Sequence, residues 1–172
     1  QELDKNYESV NTSLGFKTNF TDKITSRINF ATGFRAPNLS ELSSNGVHEG
    51  SNRYEIGNSN LKTEQNFQVD LNVDYNSEHF DFFVNGFYNN INNYIFISPN
   101  GNSIDTNFVY DYLQNNAVLY GGETGIHLHL HEIDWLHMTS SYEMVIGKLE
   151  NNLSLPLIPA NQWKNNFRAN FD

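Results

Sequence analysis

Apolar and polar residues alternate along most of this chain, and this period of two limits the folds open to it. In the clearest case every second residue is apolar: Phe67, Val69, Leu71, Val73 and Tyr75. Successive side chains of a β-strand point to opposite faces, so such a run has one apolar and one polar face. The spacing of three to four residues typical of amphipathic helices is nearly absent. We therefore predict an all-β protein.

The same pattern predicts seven antiparallel strands. They cover about residues 10–20, 24–34, 67–75, 80–96, 108–131, 135–146 and 163–171. Gly121 and Gly122 are expected to introduce a bulge into the fifth strand. Most of these runs exceed the roughly 5 or 6 residues usual in globular sheets, and they match the roughly 9 to 11 that a strand needs to cross a bilayer at a tilt. Several extend further, which predicts strands that stand above the membrane surface.

Short and long connections alternate between these strands. The short ones are residues 21–23, 76–78 and 132–134, and the long, polar ones are residues 35–64, 97–107 and 147–161. In an up-and-down meander this places all tight turns at one end, which is the asymmetry of outer-membrane barrels. Because the smallest such barrels have about eight strands, we expect the remaining strands to come from a longer polypeptide.

Composition excludes several classes of function. Ten Lys and Arg against 20 Asp and Glu give a net charge of −10, whereas a nucleic-acid partner would require clustered basic residues. The absence of Cys excludes thiol catalysis and Cys-ligated zinc. No apolar run approaches the 18 or so residues of a spanning helix, and no catalytic motif is present. We therefore predict that the chain is not an enzyme.

Two segments carry a family resemblance. Residues 33–42 read GFRAPNLSEL, and residues 54–64 read YEIGNSNLKTE. Together they closely resemble the TonB-dependent outer-membrane receptors. Weaker matches follow in the same order at residues 87–95, 116–117, 122–123 and 157–159, so the resemblance covers about residues 26–171. Thr63 departs from the family, which often has Pro at this position, and should only loosen the entry to the third strand.

The resemblance implies a bacterial outer-membrane protein whose barrel has about 22 strands. Residues 1–172 would form part of that barrel domain, without its N-terminal plug. The implied function is active uptake of a scarce nutrient: an iron–siderophore complex, haem or another metal. The implied partners are outer-membrane lipid, the plug, a TonB-type energy-coupling complex and a small-molecule or metal-chelate substrate. The chain would need no cofactor of its own, and any metal or haem would be cargo.

The family segments also supply candidate structural residues, namely Arg35, Pro37, Glu41, Gly57, Asn58, Glu64, Gly122 and Glu123. Pro37 cannot donate a ladder hydrogen bond, so it should end the second strand. Arg35 can pair with Glu41 or with Glu64. We interpret it as a residue that holds the loop base rather than as a substrate contact.

A row of histidines is the sharpest chemical feature of the sequence. His127, His129 and His131 alternate with leucines, so the three imidazoles should share one face, with neighbours about 7 Å apart. If the leucines face lipid, the row faces the barrel interior. It could bind zinc or copper, with Glu123 and His137 as further ligands, although the sequence places no carboxylate tightly beside it. The alternative is a polar wall packed against the plug near the periplasmic end.

The first long loop supplies a second candidate site. His48, Glu49, Arg53 and Tyr54 lie in it, and His48 with Glu49 could contact a metal or haem iron from outside the cell. Long loops at a barrel mouth are where ligands are captured. The alternative is an ordinary solvated loop tip.

Two other readings of the whole chain remain open. A soluble, secreted β-sheet binding module would have short strands and would bury its apolar rows in a dry core between two sheets. The residues that it would bury are Phe16, Phe30, Phe67, Val69 and Leu71. An outer-membrane pore or barrel enzyme would instead have an interior free of any plug.

Overall fold

The computed structural model describes residues 5–129 and 135–170. The described residues form nine strands and one short helix, which confirms the all-β prediction. In chain order these elements are β1 (Ser13–Asn19), β2 (Ile24–Arg35), α1 (Leu39–Ser43), β3 (Asn45–His48), β4 (Arg53–Ile56), β5 (Glu64–Asn76), β6 (Phe80–Ile104), β7 (Asn107–His129), β8 (Leu136–Leu149) and β9 (Gln162–Ala169). Within the described ranges, no helix has the length and apolar character needed to cross a membrane.

Seven of the strands form one antiparallel meander in the order β1-β2-β5-β6-β7-β8-β9. These are the seven strands predicted from the alternation. The other two form the hairpin β3-β4 within the long connection between β2 and β5. This hairpin joins the sheet through β4, which pairs with residues 108–111 of β7 in parallel. That pairing is the one parallel contact among the described strands.

The strand register sorts side chains into apolar and polar rows that run across the sheet. One row of cross-strand partners is mostly aromatic and aliphatic: Leu14, Phe30, Val69, Tyr88, Tyr120 and Ile146. A row of opposite parity is polar: Lys17, Arg27, Asn72, Asn85, Glu123 and Glu143. Rows of opposite parity lie on opposite faces of the sheet. The sheet therefore has an apolar face and a polar face.

The apolar face is not covered by any other described part of the chain. Phe16 is 57% exposed, Phe67 48% and Leu71 49%. The soluble module required these residues in a dry interior between two sheets, so the structure contradicts that alternative. Most of the buried apolar residues instead lie at the long-loop end of the strands, in two small clusters: Leu42, Leu61 and Ile95, and Ala117, Leu149 and Leu155.

The predicted polar loop at residues 97–107 is wrong. β6 and β7 continue through this region as a paired hairpin that closes between Ile104 and Asn107, and Asp105 adopts the left-handed conformation (φ 53°) at the turn. The pairing slips at two irregularities, between Ile91 and Tyr94 and between Pro99 and Ser103. Polar side chains suit a hairpin that extends into water, which is why alternation alone did not reveal it.

The predicted bulge at Gly121 and Gly122 is also wrong. The β6-β7 register is unbroken from Phe80 opposite Leu128 to Ile91 opposite Ala117. A Cβ atom at Gly122 would lie 2.3 Å from the carbonyl oxygen of Asn85. The glycine is therefore required by the close approach of two paired backbones.

Candidate functional site

Arg35 joins two carboxylates at the base of the first long loop. Its Nε and Nη2 donate to the two oxygens of Glu64 at 2.7 Å each, and its Nη1 donates to Glu41 Oε1 at 2.8 Å. Glu41 is only 8% exposed and Glu64 9%, so both depend on this guanidinium for their counter-charge. The sequence left Glu41 and Glu64 as alternative partners, and the structure has both pairs.

The helix α1 starts on this same arrangement. Asn38 is its N-cap: the Asn38 side chain accepts from the Glu41 amide at 2.9 Å, and the Glu41 carboxylate accepts from the Asn38 amide at 2.8 Å. Such reciprocal bonds satisfy two amides that a helix start would leave unpaired. Pro37, which is buried, directly precedes the cap. Glu41 therefore serves the helix start and the loop base together.

The second family segment docks against the end of α1. The amide of Gly57 donates to the Ser44 carbonyl at 2.7 Å, and the amide of Asn58 donates to the Glu41 carbonyl at 2.8 Å. A Cβ at Gly57 would lie 2.6 Å from the backbone nitrogens of Ser43 and Ser44. The two sequence segments thus form one interlocked unit, which gives their residues a structural explanation.

The hairpin β3-β4 holds the four residues predicted to contact substrate. His48 pairs with Arg53 across the hairpin. Arg53 Nε donates to Glu55 Oε1 at 2.7 Å, and the Tyr54 hydroxyl donates to Asn45 Oδ1 at 2.9 Å. Arg53 and Tyr54 are therefore engaged within the chain. His48 and Glu49 are exposed at the turn, where the Ser51 hydroxyl lies 3.3 Å from His48 Nδ1.

Glu55 anchors this hairpin to β7, a role that the sequence pattern did not predict. It is 3% exposed, and its second oxygen accepts from the Tyr112 hydroxyl at 2.8 Å. Burial alone would raise the Glu55 pKa, but the hydrogen bonds from Arg53 and Tyr112 outweigh it and lower that pKa. Burial, followed by the bond to Glu55, raises the pKa of Tyr112 to about 12. In the sequence, Glu55 is only an acidic residue next to a tyrosine, and this pattern is too common to predict a buried anchor.

The polar face of the sheet carries a series of side-chain contacts. Arg27 donates to Asn72 at 2.6 Å and to Asp74 at 2.5 Å, and the Lys164 ammonium donates to Glu143 at 2.8 Å. Glu123 lies in this row, opposite both Asn85 and Glu143. This face combines charges of both signs with amides, as expected for a wall that contacts water or a polar partner.

Two of the three predicted histidines converge with a carboxylate at the short-turn end of this face. His127 Nδ1 lies 3.7 Å and His129 Nδ1 3.9 Å from Asp81 Oδ2. Each of the three residues offers a ligand atom within 4.8 Å of the others. The expectation that no carboxylate lies close to the row was therefore wrong. Asp81 is the cross-strand partner of His127 on β6.

The further ligands suggested by the sequence do not join this cluster. Glu123 lies four residues before His127 on β7, in the polar row opposite Asn85 and Glu143. The His137 ring is 5.8 Å from the His127 ring, centroid to centroid, and lies opposite His129 on β8. The prediction for His131 falls outside the described residues.

The sheet is a single antiparallel layer of long strands with one apolar and one polar face, and its connections are short at one end and longer at the other. This is the architecture of an outer-membrane barrel wall. The family described as TonB dependent receptor-like, beta-barrel matches residues 1–171 of the chain. The chain therefore belongs to the TonB-dependent receptor β-barrel family. This family consists of transport receptors in the outer membrane of Gram-negative bacteria, which confirms the predicted family and location.

Solved receptors have the same fold. The copper transporter OprC is 17% identical over 93% of this chain, with a TM-score of 0.77. The siderophore receptor PirA from Pseudomonas aeruginosa is 21% identical over 81%, with a TM-score of 0.64. A variant of the ferric enterobactin receptor PfeA from Pseudomonas aeruginosa, in complex with enterobactin, is 24% identical over 78%, with a TM-score of 0.58. The chain spans 24%, 28% and 22% of these proteins, respectively.

Proposed function

We propose that the chain forms one section of the barrel wall and outer loops of an active importer for a metal-containing nutrient. The observation that carries this proposal is the family match over residues 1–171. It is supported by the sheet itself, whose exposed apolar face suits lipid and whose polar face suits an interior occupied by a plug. Transport would be driven through a TonB-type energy-coupling complex and the plug, which together with outer-membrane lipid are the proposed partners.

The substrate class proposed is an iron–siderophore complex, haem or another metal. The names of the similar receptors support this class, since they include a copper transporter and siderophore receptors. The exposed pair at the hairpin turn supports it as well, because His48 and Glu49 offer an imidazole and a carboxylate to a ligand arriving from outside.

We assign different roles to the four hairpin residues. His48 and Glu49 would contact the substrate, because both are exposed at the turn. Arg53 and Tyr54 would position that turn through their bonds to Glu55 and Asn45. The Arg53 guanidinium also lies over the Tyr110 ring, 5.5 Å from its centroid, and this contact holds the hairpin against β7.

The test is substrate binding by the complete receptor in cells that lack their own metal importers. The probes are ferric enterobactin, haem and free Cu²⁺, each measured with the wild type and with the double variant His48→Ala, Glu49→Ala. We expect one probe to bind and the double variant to weaken its binding at least about tenfold, because loss of a group that merely supports a metal ligand already costs about 10- to 100-fold. The matched control is Val47→Ala in the same hairpin, which removes part of an exposed side chain and should bind as the wild type does.

Two results would count against the proposal. Failure of all three probes to bind, or to support growth when metal is scarce, would contradict the proposed substrate class. Unchanged binding in the double variant would remove the hairpin turn from the substrate site.

A further inference from the structure

We propose that Asp81, His127 and His129 bind one divalent first-row transition-metal ion at the short-turn end of the wall. This site is separate from the hairpin turn at the opposite end of the strands. It does not depend on which nutrient the receptor carries, because it is defined by three side chains of the wall.

The three side chains are placed by strand pairing. Asp81 on β6 is the cross-strand partner of His127 on β7, and His129 is two residues further along on the same face. Cross-strand partners have Cβ atoms about 4.5–5.5 Å apart. The backbone therefore fixes the positions of all three groups, and only side-chain rotation is needed to close them on an ion.

The hydrogen bond of His129 fixes which ring nitrogen is free. His129 Nε2 lies 3.1 Å from the backbone carbonyl oxygen of Ser77. A carbonyl oxygen can only accept, so Nε2 carries the hydrogen, and Nδ1 of the neutral ring presents its lone pair toward Asp81. Metal-binding histidines commonly donate their second nitrogen to a carbonyl in this way, which orients the ring.

The distances within the cluster suit a shared ion better than direct hydrogen bonds. The two contacts from imidazole Nδ1 to Asp81 Oδ2, at 3.7 and 3.9 Å, exceed hydrogen-bonding distance. Ligand atoms about 2.0–2.2 Å from a tetrahedral ion are roughly 3.4 Å from one another. Small rotations of the three side chains would therefore bring them to coordinating distances.

The donor set indicates the kind of ion. Two imidazoles and a carboxylate suit zinc, copper(II), nickel or iron(II), whereas hard ions such as magnesium and calcium prefer oxygen ligands alone. The side chains are 40%, 26% and 38% exposed for His127, His129 and Asp81, respectively. Water or another part of the receptor can therefore fill the remaining coordination positions.

The alternative is a cluster balanced by protons, in which positively charged imidazoles face Asp81 and no metal binds. Metal binding distinguishes the two. The protein for this experiment is the complete receptor, folded in detergent and stripped of metal with a chelator. Cu²⁺ is the probe, because among divalent first-row ions it binds most tightly to such donors.

The measurement combines a Cu²⁺ titration with electron paramagnetic resonance, which detects nitrogen ligands of bound copper. We expect the wild type to bind one more equivalent than Asp81→Asn and than the double variant His127→Gln, His129→Gln. The spectrum of that equivalent should show two coordinating nitrogens. Its affinity should fall at least about 100-fold in each variant, because loss of a group that merely supports a ligand already costs about 10- to 100-fold.

Two controls accompany these variants. His137→Gln changes the neighbouring imidazole outside the cluster, and Asp105→Asn changes an exposed carboxylate at the turn of the β6-β7 hairpin. Both variants should keep the ion. Assembly of each variant is checked by gel electrophoresis, in which a folded barrel migrates differently before and after heating. If the double variant does not assemble, Asp81→Asn decides the matter alone, because Asn has nearly the shape of Asp.

The proposal is overturned if the wild type binds no copper in micromolar titrations. It is also overturned if Asp81→Asn and the double variant bind as many equivalents as the wild type, with the same affinity. Either result would leave the cluster as a proton-balanced part of the polar wall.

Discussion

At the base of the first long loop, a single guanidinium serves two buried carboxylates. Arg35 donates to Glu64 through two of its nitrogens and to Glu41 through the third. Glu64 additionally accepts from the Ile95 amide at 2.6 Å, so the same carboxylate links β2, β5 and β6. Lysine cannot reproduce such a fork, because its ammonium is a point charge.

We expect Arg35→Lys to loosen this loop base. One of the two carboxylates would lose its partner, at a cost of about 3 kcal/mol, the lower end of the range for breaking a buried pair, because the Arg35 side chain is 42% exposed. Hydrogen exchange at the amides of Leu42, Ser44 and Asn58 should accelerate about 100-fold, since each 1.4 kcal/mol is a factor of ten. Arg27→Lys on the polar face is the matched control, and equal exchange in the two variants would contradict this role.

Tyr112 gives the outer hairpin a dependence on alkaline pH. Its pKa of about 12 in the folded chain lies above the ordinary value near 10. Folding therefore favours the neutral hydroxyl, and the stability gained is complete below about pH 10 and lost as the pH rises through about 12. Tyrosinate absorbance should show a late-titrating component that is reduced in Tyr112→Phe and unchanged in Tyr54→Phe. A titration unchanged by Tyr112→Phe would contradict the bond to Glu55.

The position of Asp81 shows where residue-level prediction ends. Alternation placed His127 and His129 on one face, but the partner of that row depends on register. Ile104 pairs with Asn107 at the hairpin turn. Asp81 lies 23 residues before Ile104, so regular pairing would place it opposite position 130, which lies 23 residues after Asn107. The actual partner is His127, because the two irregularities in β6 and β7 absorb three residues. Nothing in the sequence pattern marks those irregularities in advance.

At the scale of elements, the alternation of apolar and polar residues predicted the long strands. Seven strands follow from the period of two, since one face must differ from the other along the whole sheet. The long connections after β2 and β8 were also predicted, whereas the one between β6 and β7 is a paired hairpin. The helix α1 and the hairpin β3-β4 were missed, because five-residue and four-residue elements are too short to show a period. The helix is held instead by the second family segment, where Gly57 and Asn58 donate to the carbonyls of Ser44 and Glu41. The hairpin is held by its pairing with β7 and by the bond between Glu55 and Tyr112.

Gly57→Ala tests this docking. The added methyl would meet the backbone nitrogens of Ser43 and Ser44 at 2.6 Å, and we expect overpacking to cost about 1–3 kcal/mol. The control is Gly46→Ala in the neighbouring strand β3, where a Cβ would have no atom within 4 Å. Limited proteolysis between residues 35 and 64 should become faster in Gly57→Ala only. Equal cleavage of both variants would show that α1 does not pack against Gly57.

At the scale of the whole molecule, the two faces of the sheet meet different environments. The apolar rows are exposed on a single-layer sheet, and the opposite rows carry the polar wall with the Asp81, His127 and His129 cluster. In a transmembrane barrel the first face contacts hydrocarbon and the second lines the interior. The family match over residues 1–171 supports this arrangement, because the family is a receptor β-barrel.

The most direct test is a spin-label scan along β5 of the receptor in lipid vesicles, since the chain has no native Cys. Single substitutions Val69→Cys, Asp70→Cys, Leu71→Cys and Asn72→Cys place the label on alternate faces. If the apolar face contacts lipid, labels at 69 and 71 should be relaxed mainly by oxygen, which dissolves in lipid. Labels at 70 and 72 should respond mainly to a water-soluble nickel chelate, or to neither reagent where the plug covers them. Uniform accessibility along the four positions, or oxygen-dominated relaxation at 70 and 72, would contradict this arrangement.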